Sequence, residues 1–345
     1  MKTRKVFLLL LVLIGLTLAF CAWKIFGPTI NNPEKKSFYI STGSTYQQVK
    51  ENLLKDRFIS GDFWIDKIAN YINYPEKVKA GKYKITDGMS LYHLLKMLHS
   101  GKQIPVNLVI TKLRTKEDLA RKIAANFETD SLTTIDFLNN MDSLRAFDVD
   151  TNTVMTDVIP NTYTYTWNTP VKSIFKKLFE EEQKFWNPER LRKAQRLQLT
   201  PKQVYTLASI VEEETNKQDD KGKIASVYIN RLRKGMRLAA DPTIKFAMKD
   251  FSLKRIYHKH LEFVSPYNTY LNSGLPPGPI CTPSIKTIDA VLDSPDTDYL
   301  FFVARSDFSG YSDFASTYDQ HKVYAKAYQQ ALDSVINSRQ QNQSH

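Results

Sequence analysis

An uncharged apolar run near the start of the chain limits what the chain can fold into more than any other feature. Residues 6–23 carry no charged side chain, and a helix over them is long enough to cross a bilayer at about 1.5 Å rise per residue. Backbone groups in hydrocarbon must pair internally, so such a run folds as a helix. The basic residues before it favour a cytoplasmic N-terminus. The pattern predicts a cytoplasmic segment over residues 1–5, a transmembrane helix over 6–26 and an extracytoplasmic location for everything that follows.

A cleaved signal peptide is the alternative to an anchor. Ala19, Phe20 and Cys21 resemble a lipoprotein cleavage box, but Phe20 stands where such a box needs a small residue. No small-x-small site follows the run cleanly. The length and flanks of the run therefore favour an uncleaved anchor.

Composition narrows the functional classes. The 345 residues are 42% hydrophobic and 24% charged, as in ordinary folded proteins, and the formal net charge of +12 suits anionic surroundings. The anchor and the lack of a localised basic helix argue against nucleic acid as a partner. Only Cys21 and Cys281 occur, and none of the six histidines falls in an HExxH frame. His258 and His260 have no acidic third ligand nearby. We therefore expect no structural disulfide and no metal site.

A repeated spacing organises the first third of the chain. FYISTGSTYQQVKENL, YKITDGMSLYHLLKML and LVITKLRTKEDLARKI each read as a short strand, a turn, a hydroxyl N-cap and an amphipathic helix. The caps are Thr45, Ser90 and Thr115. The first two units frame a further helical stretch over residues 61–74, which gives a β-α-α-β module that resembles the LysM fold of glycan-binding proteins. A small α+β spacer without a ligand is the alternative.

The remaining segments complete an α+β organisation. Residues 27–36 read as a linker, residues 37–104 as the LysM-like module, residues 105–338 as a larger mixed α/β domain and residues 339–345 as a frayed tail.

The stretch TPKQVYTLASIVEEET, residues 200–215, contains a complete set of helix signals. Thr200 is placed to cap the first turn, Pro201 suits the first helical position, and Gln203 completes a Thr-x-x-Gln capping box. At about 100° per residue, the apolar side chains then form one stripe. That stripe consists of Val204, Leu207, Ala208 and Val211, with Ile210 at its margin.

Three acids end this helix. On the helical wheel Glu213 lies opposite the apolar stripe, in water, whereas Glu212 and Glu214 border the stripe on its two edges. A carboxyl beside apolar neighbours has its charged form disfavoured, so its pKa rises and it can act as a general acid near neutral pH. A solvated acidic patch is the simpler alternative, although acids gain nothing from the helix dipole at this end.

The segments after the acids provide further polar side chains. Residues 224–232 predict a second helix that ends at Lys234 and Gly235, and Asp241 is the expected N-cap of a short helix that starts at Pro242. Residues 265–284, SPYNTYLNSGLPPGPICTPS, form a long proline-rich loop, and loops of that length in compact domains usually serve function. Thr282 and Pro283 are expected to cap the next helix, YLFFVAR is a buried-type strand, and a closing helix starts near Thr317.

Four ordered motifs carry a family resemblance: LASIVEEET, VYINRLRKGMRLAADPT, SPYNTYLNSGLPPGPICTPS and YLFFVAR. Together with IPNTY, they resemble the YceG-like endolytic murein transglycosylases over nearly the whole chain, including the anchor and the LysM-like module. The resemblance implies cleavage of nascent peptidoglycan between N-acetylmuramic acid (MurNAc) and N-acetylglucosamine (GlcNAc), leaving a 1,6-anhydro end. It also implies an extracytoplasmic domain on a single-pass inner-membrane anchor, working beside peptidoglycan synthases.

The same resemblance indicates site residues. The catalytic acid is expected at Glu214, with Glu212 as the second candidate. The positions that match the family's glycan cleft are Asn230, Arg231, Asp241, Tyr267, Asn268 and Tyr270. One departure stands out, because this chain has Ser312 where the family pattern G-x-H-x-F has histidine, although His321 follows in the next helix.

Two other functions remain open at this point. A lytic transglycosylase can work with one carboxyl, because the sugar's own C6 hydroxyl replaces water as the nucleophile. This chemistry requires no metal or cofactor. A hydrolytic muramidase would need a second carboxylate, which Asp241 or Glu212 could supply. A non-catalytic wall-binding scaffold built on the LysM-like module is the third possibility.

Overall fold

The computed structural model describes residues 2–30, 36–61 and 63–343. The chain divides into two compact units. The first, which we call the membrane-proximal unit, comprises Met1–Leu108, Ala124–Asp130 and Thr164–Pro170. The second, the large unit, comprises Val109–Ile123, Ser131–Tyr163 and Val171–His345. Helices and short sheets are mixed in the α+β manner that the sequence predicts.

The elements follow one another along the chain in this order: α1 (Lys2–Phe26), β1 (Ser37–Ile40), α2 (Tyr46–Lys55), α3 (Phe63–Tyr71), β2 (Gly81–Lys84), α4 (Leu91–Ser100), β3 (Val106–Val109), α5 (Lys116–Ala124), α6 (Ser131–Asn139), α7 (Met141–Leu144), β4 (Thr162–Tyr165), α8 (Val171–Phe185), α9 (Pro188–Leu197), α10 (Pro201–Glu214), α11 (Gln218–Arg233), α12 (Asp241–Ala247), α13 (His258–Leu261), α14 (Ile285–Leu292), β5 (Phe301–Ala304), β6 (Ser312–Ala315) and α15 (Tyr318–Gln343). Short 3-10 turns occupy Arg145–Phe147 and Val154–Asp157. The strands form three two-stranded sheets, β1–β2, β3–β4 and β5–β6.

The first helix fits the predicted anchor. Within the described residues it is the one helix long and apolar enough to span a membrane, over the 23 residues of Arg4–Phe26. Its apolar side chains are exposed, as expected of a helix whose solvent is lipid. Residues 31–35 of the predicted linker over residues 27–36 lie outside the described residues. Ile30, just before them, is buried in the core of the membrane-proximal unit.

The β-α-α-β order of the membrane-proximal unit matches the prediction. Strands β1 and β2 pair antiparallel, with Phe38 opposite Tyr83, and both side chains enter the core. Thr45 caps α2 with a full capping box, and Ser90 caps α4, as the repeated spacing indicates. The helical stretch expected over residues 61–74 is α3.

Helix α10 is the centre of the large unit. Its contacts run to α9, α11, α12 and α14. The predicted stripe is buried, but Thr206 and Ser209 outside it are buried as well. Neighbouring elements therefore cover α10 on several sides, whereas the helical wheel predicts that one side of it is exposed. Its predicted capping box, between Thr200 and Gln203, is present.

Four expectations for the large unit need correction. Helix α11 begins at Gln218, before the expected residue 224. Asp241 is the first residue of α12 and Ala240 is the N-cap, because the Asp241 carboxylate accepts from Tyr270 instead. Ser284, not Thr282, caps α14, since the Thr282 hydroxyl donates to the carbonyl of Thr111. Strand β5 is half-buried, whereas a buried strand was expected. Helix α15 extends to Gln343, and the last two residues of the predicted frayed tail over residues 339–345 lie outside the described residues.

Candidate functional site

The candidate site is built around the C-terminal end of α10, where Glu214 is the last helical residue. Its Oε1 atom accepts a hydrogen bond of 2.6 Å from the hydroxyl of Tyr228 on α11. Tyr228 is only 1% exposed and packs edge-on against Phe302, 5.9 Å between ring centroids. The fixed tyrosine therefore holds the Glu214 carboxyl in one orientation.

Burial is the main influence on the protonation of Glu214. Loss of solvent raises its pKa from 4.5 to about 7, and the charge of Asp241 acts in the same direction. The Tyr228 hydrogen bond and the charges of Lys245 and Arg231 favour the ionised form and limit the rise. At neutral pH the group exists in both protonation states, as a residue that gives and then recovers a proton requires.

Asp241 and Tyr270 form the next contact of this site. The Tyr270 hydroxyl donates to Oδ1 of Asp241 at 2.6 Å, which fixes a second carboxylate on the first turn of α12. Burial, with the Asp241 hydrogen bond, raises the pKa of Tyr270, so its hydroxyl keeps its proton. The charge of Asp241 raises the pKa of Glu214, and the charge of Glu214 raises the pKa of Tyr270. The structure therefore brings these three predicted site residues together.

Glu212, the second candidate, has a different environment. Its Oε2 accepts from Nζ of Lys221 at 2.9 Å and from the hydroxyls of Ser284 and Thr287. Burial opposes ionisation, but these donors outweigh it and hold the pKa of Glu212 below its ordinary value. A carboxyl that is ionised and already bonded to several donors is poorly suited to protonate a leaving group.

Glu213 departs from the wheel prediction. Its side chain is 16% exposed and pairs with Lys112 at 2.7 Å and Arg114 at 3.2 Å. The expectation that it lies in water is therefore wrong. The residues that cover it belong to the segment before α5, distant in sequence, so no wheel drawn for α10 alone would place them there.

Two predicted cleft residues of α11 bond to backbone. The Asn230 amide donates to the carbonyls of Thr297 and Tyr299 at 2.7 and 3.0 Å. The Arg231 guanidinium donates to the carbonyls of Leu300 and Leu238 at 2.7 and 2.6 Å. Arg231 nevertheless contributes its charge to Glu214, whereas Asn230 holds the chain that enters β5.

The loop of residues 265–284 is anchored by its own polar side chains. Asn268 is fully buried and donates to the carbonyls of Leu261 and Phe263, while its side-chain oxygen accepts from the Tyr270 amide. Tyr267 packs on Phe246, with ring centroids 4.8 Å apart. These two predicted cleft residues shape the loop, and Asn268 thereby positions Tyr270.

Sequence reasoning missed Tyr228 and Lys221. Both lie on the buried face of α11, at helical spacing from Ile224 and Ala225. The signal was available, since polar side chains on an apolar stripe need partners. Lys221 was overlooked because the helix was expected to start after it.

The departure at Ser312 has a visible structural setting. The amide of Ser312 in β6 donates to Asp220 at 2.7 Å. His321 on α15 stacks on Phe301 at 5.3 Å, and Phe301 also lies 5.5 Å from the Arg231 guanidinium. Burial and the Arg231 charge lower the pKa of His321, which favours its neutral form.

The fold and the site define an α+β protein with a candidate acid–base carboxyl at the end of its central helix and one N-terminal helix apolar enough to span a membrane. The chain belongs to the YceG-like family, whose model matches residues 38–327. The resemblance stated from the sequence motifs is thus confirmed.

Named relatives and a solved structure show what this chain is similar to. A Bacillus subtilis (strain 168) protein named endolytic murein transglycosylase is 27% identical over 328 residues, which cover 88% of this chain and 89% of that protein. A Streptococcus pneumoniae serotype 2 protein of the same name is 29% identical over 296 residues, covering 77% of this chain and 53% of that protein, so the chain spans about half its length. The crystal structure of a YceG-like protein from Listeria monocytogenes matches with a TM-score of 0.55 and 27% identity, covering 83% of this chain and 97% of that one.

Proposed function

We propose that the protein is an endolytic lytic transglycosylase that cuts nascent peptidoglycan strands at MurNAc–GlcNAc bonds and so limits their length. Glu214 carries the proposal, because its carboxyl combines a pKa of about 7 with a fixed orientation beside Asp241 and Tyr270. The murein transglycosylase names of the relatives support the same activity. In this proposal Glu212, which forms an ion pair with Lys221, has a structural role.

The chemistry needs one carboxyl. Protonated Glu214 gives its proton to the glycosidic oxygen as the bond between MurNAc C1 and that oxygen breaks. The resulting carboxylate then accepts the proton of the MurNAc C6 hydroxyl while this oxygen bonds to C1. The new bond closes the 1,6-anhydro ring and Glu214 recovers its proton. Because the nucleophile is tethered to the reacting sugar, proximity replaces a bound water.

Product masses test this function directly. The full chain in detergent, incubated with uncrosslinked glycan strands, is expected to release fragments with 1,6-anhydro-MurNAc ends. Each such fragment is lighter by one water than its hydrolysed counterpart. Fragments with reducing MurNAc ends would instead establish a muramidase, with Asp241 as the second carboxylate. If the strands stay uncut, the result would favour a non-catalytic wall-binding scaffold.

Tyr228→Phe is expected to move the pH profile of this activity. The Tyr228 hydrogen bond stabilises ionised Glu214, so its removal raises the pKa of Glu214 above the wild-type value of about 7. The alkaline limb of the kcat/KM profile, where the acid loses its proton, then shifts to higher pH by about one unit. Phenylalanine keeps the ring against Phe302, which limits the change to the hydroxyl. An unmoved alkaline limb would contradict the role given to Tyr228.

We propose the following organisation around that site. The N-terminus is cytoplasmic, α1 crosses the inner membrane once, and the rest of the chain is extracytoplasmic, where the substrate lies. Residues 37–104 act as a LysM-like glycan-binding module, supported by the β-α-α-β order, and residues 105–338 as the catalytic domain. Peptidoglycan synthases are the proposed partners, since they supply nascent strands.

A further inference from the structure

The end of the anchor helix is part of the membrane-proximal unit's fold. Ile25 of α1 packs on the core of this unit, and the ring of Phe26 lies 5.2 Å from that of Tyr92 on α4. A few residues later, the Ile30 carbonyl accepts from the Gly88 amide at 2.8 Å. Since α1 continues into the unit through packed contacts, the side of the unit beside Phe26 must lie near the bilayer surface if α1 spans the bilayer.

Helix α3, which starts beside the last turn of α1, carries exposed aromatic and basic side chains. On α3, Phe63, Lys67 and Tyr71 follow one another at i, i+4 and i+8, which places them on one helical face. Phe63 is 61% exposed and Tyr71 is 87% exposed. The ammonium of Lys67 lies 5.8 Å from the Phe63 ring. Solvated aromatic side chains in such a row are unusual on a soluble surface and indicate an interaction site.

A pocket of about 260 Å³ joins this row to the anchor. Its lining includes Lys24 from the last turn of α1 together with Phe63 and Trp64 from the start of α3. Thr29 also lines it, and the Thr29 Oγ1 atom is buried without a hydrogen-bond partner among the described residues. The pocket therefore offers a cation and aromatic walls at the end of the span.

We propose that the anchor-side face, defined as Lys24, Phe63, Trp64, Lys67 and Tyr71, lies in the headgroup layer of the bilayer and binds anionic phospholipid headgroups. The proposal rests on the anchoring proposed above. Aromatic side chains are favoured at the level of the headgroups, and lysines near an anionic leaflet are attracted to it. The acid of α3 that faces the neighbouring helix, Asp66, is paired with Lys50 at 3.1 Å, so its charge is already compensated.

The face gives the membrane-proximal unit a function beyond holding glycan. A unit bound to headgroups through this face would stay at the membrane surface. Glycan held by the same unit would then be restricted to strands close to the membrane.

Site-specific fluorescence tests the proposal in the full chain. An environment-sensitive probe is attached at Phe63→Cys, at Tyr71→Cys or, as a control, at Glu51→Cys, an exposed acidic position on α2. The background variant is Cys21→Ser, because Cys281 is 2% exposed and will not react. Each labelled protein is placed in bilayers of phosphatidylcholine alone or mixed with phosphatidylglycerol, with a spin-labelled headgroup lipid as quencher.

We expect blue-shifted emission and strong quenching at positions 63 and 71, stronger with phosphatidylglycerol, and weak quenching at position 51. A lysine near an anionic surface contributes roughly fivefold to partitioning. Adding Lys67→Glu should therefore abolish the phosphatidylglycerol effect at position 71. Equal quenching at positions 51, 63 and 71, or no dependence on lipid charge, would overturn the proposal.

A probe at Val12→Cys separates the two proposals. Quenching of this probe by a lipid labelled in its acyl chain reports insertion of α1. If position 12 is quenched while position 63 is not, the anchor stands and the headgroup contact is wrong. If position 12 is not quenched, the anchoring and the headgroup contact fail together.

Discussion

Glu214→Gln is expected to reduce cleavage of glycan strands by roughly 10²–10⁴-fold, the usual contribution of a general acid. Glutamine keeps the shape of the side chain and can still accept the Tyr228 hydrogen bond, but it has no proton to give. The loss should appear in kcat, since no binding contact is removed. Release of fragments from uncrosslinked strands, quantified by mass spectrometry, measures it.

Stability separates this loss from unfolding. The folded-state pKa of Glu214 is raised from 4.5 to about 7, so folding is favoured by its proton below pH 4.5, and this advantage is lost as pH rises through 7. Glutamine stays neutral. Above pH 7 the free energy of unfolding of the variant should therefore equal that of the wild type or exceed it by up to roughly 1–3 kcal/mol. A variant that is folded at pH 8 and inactive has lost chemistry, not structure.

Glu213→Gln is the matched control. It makes the same change on the same turn, but at a side chain held by Lys112 and Arg114. We expect less than about a tenfold change in rate, since the acid itself is retained. If Glu214→Gln cleaves strands at the wild-type rate, the assignment of the acid is wrong.

The start of α10 was predictable because it depends on neighbours in sequence. Thr200, Pro201 and Gln203 act on amides within one turn, and the structure shows the capping box they predict. The same holds for Thr45 and Ser90 in the membrane-proximal unit. Hydrogen bonds between residues that are close in sequence can be predicted from that stretch of sequence. The caps at Thr45, Ser90 and Thr200 were therefore predicted correctly. The cap expected at Thr282 was not, because its hydroxyl bonds to Thr111, which is distant in sequence.

The environment of the three acids was not predictable, because it is made by distant segments. Glu213 is covered by Lys112 and Arg114, which precede it by about half of the large unit's sequence. The wheel correctly put Glu214 at the edge of the apolar stripe, but not the Tyr228 hydroxyl that holds it. Which acid is protonated depends on these tertiary partners. A pattern within α10 could reduce the candidates to two, and only the packing of α11 and α14 distinguishes them.

Lys221→Met is expected to lower the free energy of unfolding by about 3–5 kcal/mol, the usual cost of leaving one member of a buried ion pair alone. The Lys221 and Glu212 side chains are 8% and 15% exposed, and their charged atoms lie 2.9 Å apart. Without the ammonium, Glu212 keeps only the hydroxyls of Ser284 and Thr287. Urea unfolding of the full chain in detergent, followed by circular dichroism, measures the change.

The double variant Glu212→Gln with Lys221→Met distinguishes an unpaired charge from lost packing. With both charges gone, the penalty for a buried unpaired charge disappears, so the double variant should recover much of the stability that Lys221→Met loses.

The sign of the Glu212 pKa shift adds a pH test. That pKa is lowered by its donors, so the pair stabilises the fold above the ordinary pKa of 4.5, and this contribution fades as pH falls through the lowered value. The gap between wild type and Lys221→Met should accordingly narrow in acid. A gap that stays constant, with no recovery in the double variant, would show that the ion pair is not what Lys221 contributes.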